Sequence, residues 1–152
     1  MAVSWAILLI LAATPSLAEP LPCSLAEGER AMAAAADLVQ RLGVAGARAA
    51  MTAEEATIHC GGHDVKAMDL QARWLISPDD PSLVGRAVES FGDGAATNFM
   101  KAMIAAAVAG KGALGQYVTH DTGRDGARVD KVLFYRHLSS QGVVLYGAFI
   151  LR

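Results

Sequence analysis

Residues 115–151 read GQYVTHDTGRDGARVDKVLFYRHLSSQGVVLYGAFIL. Three runs rich in β-branched and aromatic residues, Gly115 to His120, Val129 to His137 and Gly142 to Leu151, are separated by clusters of Gly, Asp and Ser. Such runs, with turn chemistry between them, predict three consecutive antiparallel strands. Asp121 to Gly126 hints at a calcium loop but lacks the alternating oxygen ligands and the closing Glu. Its Thr-Gly and Asp-Gly pairs instead supply the positive-φ positions of a hairpin turn. Everything upstream is mostly helical or carries shorter strands. The meander is therefore the expected spine of a sheet that the earlier segments cover.

Alternation along the middle run sets the functional question. Lys131, Leu133, Tyr135 and His137 fall on one face, and Asp130, Val132, Phe134 and Arg136 on the other. Lys131 and Tyr135, beside a neighbouring strand carrying Tyr117 and Thr119, make a candidate site for a small anion held by charge-assisted hydrogen bonds. Trp74, Ile76, Leu133 or Met100 would form its apolar walls. The alternative is a lysine snorkelling over a solvated face, with the tyrosines in the core. A one-residue bulge would exchange the faces of Phe134 and Tyr135.

The chain has 152 residues, but its first stretch is not counted as fold. Trp5 to Ala13 is an apolar run too short for a bilayer. Thr14-Pro15-Ser16-Leu17-Ala18 follows, with the small Ser16 and Ala18 placed for cleavage before Glu19. This reads as a secretory signal peptide over residues 1–18, although no Lys or Arg precedes the apolar run. Pro20-Leu21-Pro22 ahead of Cys23 lacks the small residue that lipoprotein processing needs. Residues 19–152, about 134 residues, are one domain's worth of chain, burying about two thirds of its unfolded surface. The net charge is −2, and no basic block interleaved with aromatics marks a nucleic-acid surface. No later apolar run reaches membrane-spanning length, so a soluble periplasmic or secreted domain is expected.

Export places the only two cysteines, Cys23 and Cys60, in an oxidising compartment where they are expected to pair. Closing that loop would stabilise by roughly 4 kcal/mol on the chain-entropy account. Ser24-Leu25-Ala26-Glu27 has the form of a capping box, and the helix-favouring sequence to Leu42 carries a stripe of Met32, Ala35, Leu38, Val39 and Leu42. Gly43 and Gly46 interrupt it before Ala47 to Met51 resume. His59-Cys60-Gly61-Gly62-His63 resembles a metal cluster, but its glycines break any helix that would join the histidines and no second compact group completes a tetrahedral site. No metal is expected there.

Val65 to Leu70 and Trp74 to Ser77 read as two short strands around Gln71-Ala72-Arg73, or as one long strand if Met68, Leu70, Ala72, Trp74 and Ile76 alternate strictly. Asp93-Gly94 opens a second helical region, best from Asn98 to Val108, with Phe99, Met100, Met103, Ile104, Ala107 and Val108 inward. Gly110 to Gly115 matches G-x-G-x-x-G literally, yet a dinucleotide site needs a strand before and a helix after. Here the order is reversed, and glycines at a helix C-terminus simply stop it. No nucleophile elbow is present, and His120 with Asp121 point to opposite faces of a strand. The expectation is no enzyme and no cofactor.

The order of these segments resembles the single Cache family. Trp74 to Arg86 is similar to that family's stretch "His-Pro-x-x-Pro-x-Leu-x-Gly-Lys/Arg". Asp93-Gly94, the helix after it, and Gly112 to Tyr117 resemble its "Asp-x-x-Gly … Gly-x-Gly-x-x-x-Tyr" passage. Lys131 with Phe134-Tyr135, and Tyr146 to Phe149, resemble its "Lys-x-x-Tyr" and "Gly-x-Tyr" strands. The resemblance implies an α+β, PAS-like fold, with a long N-terminal helix on an antiparallel sheet of about five strands. It also implies an extracytoplasmic sensor of small carboxylates or related metabolites; together with the strand faces above, the expected site for a small organic anion or amino acid is Lys131, Tyr117, Tyr135, Trp74, Ser77 and Thr119. Ser77 stands where the family has His, and Phe134 and Phe149 where it has Tyr. The sequence ends after the last strand, so a separate membrane receptor or histidine kinase is expected to carry the signal. A non-sensing periplasmic interaction module with a filled pocket is the alternative.

Overall fold

The computed structural model describes residues 22–53, 58–122 and 126–151; the signal-peptide reading lies outside them. Helix α1 (Leu25–Thr52) starts where the sequence asks. The Glu27 amide donates to Ser24 Oγ at 3.2 Å, and the Ser24 amide donates to Glu27 Oε2 at 2.7 Å. Both groups would otherwise be orphaned at a helix start. Gly43, at φ 69° and ψ 174°, breaks the helical path. Gly46 does not interrupt it, contrary to the sequence expectation, and Leu42 lies across Gly46 and stays 48% exposed instead of joining the stripe.

After α1 a small hairpin, β1 (His59–Cys60) and β2 (His63–Asp64), turns on Gly61 and Gly62 at φ 58° and 80°. Cys60 is bonded to Cys23 across 37 residues. The Cys23 amide also donates to the Ile150 carbonyl at 2.7 Å. The disulfide therefore ties the start of α1 and this hairpin to the end of the last strand.

Strands β3 (Lys66–Asp69), β4 (Trp74–Ile76), β5 (Gly115–Thr122), β6 (Arg128–Leu138) and β7 (Val143–Ile150) form one antiparallel sheet in the order β4-β3-β7-β6-β5. The meander β5–β6–β7 pairs without a register slip. Phe134 and Tyr135 therefore keep the faces that alternation assigns them, Phe134 towards α1 and Tyr135 away from it.

A bulge occurs elsewhere. Between β3 and β4 the register shifts, pairing Ala67 with Ile76 but Met68 with Trp74. Trp74 and Ile76, two residues apart, consequently face opposite sides, because an extra residue in one strand inverts everything beyond it. This corrects both the single long strand and the placement of Ile76 in the pocket wall; Ile76 packs with the α1 side. The turn needs no glycine because the Asp69 carboxylate accepts from the Gln71 and Arg73 amides, both at 2.9 Å. Ala72 takes the left-handed conformation there, at φ 59°.

The sheet has two covered faces. On one, α1 packs over Val132, Phe134, Leu145 and Phe149. Gly28 permits that approach, since a Cβ there would lie 2.5 Å from the Phe134 ring. On the other, helix α2 (Gly94–Ala109) lays Met103, Ile104 and Ala107 over Leu133 and Val144. Asp93 caps α2, accepting from the Ala96 amide at 3.0 Å, and Gly110 ends it. The helix begins four residues before Asn98, and Phe99 and Val108, expected inward, are 46% and 41% exposed. Only one narrow stripe of α2 meets the sheet, so apolar residues outside the i, i+3/i+4 spacing are left in solvent.

Candidate functional site

The α2 face of the sheet collects the polar side chains in ladder rungs. Lys66, Tyr146, Tyr135 and Gly115 lie side by side on β3, β7, β6 and β5. The next rung holds Leu133 and Tyr117, and the one after it Lys131 and Thr119. Directly opposed residues in an antiparallel ladder share a face, so Lys131, Tyr135, Tyr117 and Thr119 do look the same way. Tyr135 reaches over Gly115, where a Cβ would sit 2.1 Å from its ring.

Two neighbourhoods result. At the β5 side, Tyr117 is 53% exposed and Thr119 and Lys131 are half-buried, forming an open rim. At the β4 side the polar atoms are buried. Trp74 Nε1 donates to the Tyr146 hydroxyl at 2.7 Å, and both residues are buried. Burial pushes the Tyr146 phenol well above its ordinary value, with the nearby Asp79 charge adding to it against the Trp74 hydrogen bond. The hydroxyl stays neutral, accepts from the indole, and keeps its own proton available for donation.

Beside it, Lys66 Nζ lies 2.8 Å from Asp79 Oδ2, and Ser77 Oγ donates to Asp79 Oδ1 at 3.2 Å. Burial pushes the Asp79 carboxyl up, but the Lys66 hydrogen bond and charge, with the Ser77 hydroxyl, outweigh it and hold it below its usual range. Ser77 is itself buried. A strap closes this corner from above. Phe91 meets Trp74 edge-on with ring centroids 5.5 Å apart, and the Arg86 guanidinium lies 4.1 Å over the Phe91 ring.

The six residues singled out in the sequence thus divide. Trp74, Ser77 and Tyr135 belong with the inner corner, and Tyr117, Thr119 and Lys131 with the rim. The inner corner's Tyr146, Lys66 and Asp79 were missed as site residues. Tyr146 had a signal, since it alternates with Val144 and Ala148 on an obvious strand. Lys66 and Asp79 had none, because only the bulge and the turn after β4 bring them together.

Other sequence candidates resolve differently. His120 meets Asp130 on β6, Nδ1 to Oδ1 at 2.6 Å, with Arg128 Nε on the same carboxylate at 3.1 Å. These two contacts hold the Asp130 carboxyl below its usual range. All three side chains are exposed, so the trio is a surface network. An open groove of about 390 Å³ lies at the disulfide end, bordered by Pro22, Glu27, His59, Gly61 and Gly62. The Glu27 carboxylate in it is already engaged by the capping box. Among the described residues, no three His, Cys, Asp or Glu side chains are placed to share a metal ion.

No family model matches the sequence, and no curated protein matches it. Solved structures do resemble the fold. A periplasmic sensor domain of a chemotaxis protein superposes with a TM-score of 0.57 at 21% identity, over 81% of this chain and 92% of that one. A methyl-accepting chemotaxis protein from Vibrio parahaemolyticus gives 0.56 at 16% identity, over 79% and 83%. A Cache chemosensory domain described for carboxylic acid recognition gives 0.51 at 16% identity, over 81% and 92%. The architecture, a long N-terminal helix on a five-stranded antiparallel sheet, is a PAS-like fold similar to that of these solved domains.

Proposed function

We propose that this chain is an exported sensory domain that binds a small organic anion or amino acid on the α2 face of its sheet. In this reading it acts outside the cytoplasm, after removal of residues 1–18, and passes occupancy to a separate membrane receptor or histidine kinase. The observation that carries it is the asymmetry of polar burial. A hydrogen-bonded indole and phenol, a lysine–aspartate pair and a buried serine converge on the same face of the sheet as the Lys131 rim. Buried polar groups are costly unless satisfied, and a face that retains several of them beside apolar walls is suited to orienting a small polar ligand. Lys131 supplies the positive charge for a carboxylate, and Tyr117, Thr119 and Tyr135 supply hydroxyls. The fold likeness to chemosensory domains supports the same direction.

A thermal-shift screen of short carboxylates and amino acids tests it. Ligand at 100 times its Kd stabilises by about 2.7 kcal/mol, and Lys131→Ala should abolish the response to the active compound. No shift with any compound, and no effect of Lys131→Ala, would sink the sensing reading. That outcome would favour the second reading, a non-sensing interaction module. Its support is the close packing of Met103, Ile104 and Ala107 onto Leu133 and Val144 beneath α2.

A further inference from the structure

The two edges of the sheet are treated differently. The β4 edge is short and closed: the Trp74 amide donates to the Arg86 carbonyl at 3.0 Å, the Gly85 amide to the Trp74 carbonyl at 2.8 Å, and the Val88 amide to the Ala72 carbonyl at 3.0 Å. The β5 edge runs eight residues, pairs with β6 without a bulge, and carries exposed Tyr117 and Val118 on its two faces, at 53% and 41%. Along Gly115–His120, no backbone hydrogen bond to any strand other than β6 is made among the described residues. Gln116 to His120 contains no Pro, Lys, Arg, Asp or Glu. These are the devices by which edge strands ordinarily repel one another.

We propose that β5 is a self-association edge, at which two copies of this chain pair antiparallel about a two-fold axis through Val118. In this register Val118 faces its own copy, Tyr117 faces the copy's Thr119, and Gln116 faces the copy's His120. Each pair then lies on a common face, as a continuous sheet requires, and no like charges oppose one another. The occupant follows from the closed edge. Because Gly85 to Val88 cover β4, the β5 edge of one molecule cannot add onto the β4 edge of another. Among the described residues, the uncovered edge that the five-stranded sheet of a second copy offers is β5, which gives a closed dimer rather than a fibre. An eight-residue edge is a small interface, so the dimer is weak and concentration-dependent. The inference is independent of the ligand reading, since backbone pairing leaves Tyr117 and Thr119 on the α2 face.

Sedimentation equilibrium of the purified protein from about 10 µM to about 1 mM, the range expected of a small interface, tests it. The expected result is a monomer–dimer equilibrium. Val118→Lys, placing two ammonium groups across the axis, should weaken it at least about tenfold while leaving the melting curve unchanged, as the site is exposed. Leu42→Lys, on the exposed side of α1, should leave the dimer intact. A monomer throughout the range, or a dimer that resists Val118→Lys, overturns the proposal. Loss of the dimer only in Leu42→Lys also overturns it and moves the contact to α1.

Discussion

The two faces of the sheet are built on opposite principles. Under α1 the contacts are dry and apolar. Phe134 and Phe149 are fully buried, their rings 6.2 Å apart, against a helix that presents Gly28, Ala31, Met32 and Ala35. Under α2 the buried set includes a phenol and an indole bonded to each other, and a charged pair reaches the margin. The two disulfide cysteines, Cys23 and Cys60, belong to the α1-side core. The same strand, β6, serves both, because its side chains alternate. A sheet can thus separate holding the fold from presenting chemistry at a spacing of one residue.

Substitutions at adjacent or paired positions should break this contrast open. The largest effect is expected at Phe134→Ala, which leaves a cavity under α1 and should cost about 3–5 kcal/mol in denaturant unfolding. If the faces are independent, the folded variant retains the ligand affinity of wild type. Tyr146→Phe should cost less, about 1–3 kcal/mol, because it strands the buried Trp74 N–H without an acceptor. It should, however, depress ligand affinity, which Phe134→Ala does not. A Tyr146→Phe protein that unfolds like Phe134→Ala and binds normally would erase the distinction between the faces.

The smallest effects lie in the acid limb of the stability profile. Asp79 has a lowered carboxyl pKa in the fold. Its contribution is therefore present above the ordinary carboxylate value and lost as pH falls through the lowered one. Asp64 behaves oppositely: burial first, then the Asp79 charge, push its carboxyl up against His59, Lys66 and His63. The fold carries a penalty for ionising Asp64 that grows as pH rises through the raised value. Melting temperatures followed from about pH 3 to about pH 7 should show Lys66→Met losing stability mainly at the neutral end. Asp64→Asn should gain at the neutral end and match wild type at the acid end.

Much of this was legible in the residues. The strand runs at 115–122, 128–138 and 143–150 follow from β-branched and aromatic content between turn residues. The Ser24–Glu27 box and Asp93 mark both helix starts because capping is local chemistry. The Gly110 region correctly reads as a helix stop. What failed depended on longer-range geometry. Phe99, Val108 and Leu42 are apolar and helical, but which stripe of a helix is buried depends on how much sheet lies beneath it. Ile76 was misplaced because strict alternation cannot reveal a bulge that only the partner strand β3 defines.

Sequence by itself therefore determined the two helix starts, the three strands of the meander, and the face to which each residue of β6 belongs. These depend on interactions within a few residues, where side-chain period and turn chemistry dominate. Tertiary structure alone decided that Trp74 meets Tyr146 across 72 residues, that Lys66 and Asp79 join them, and that Gly85 to Val88 close one sheet edge while, among the described residues, no strand pairs along the other. Those outcomes depend on register between segments distant in the chain, and a shift of a single residue would have inverted them.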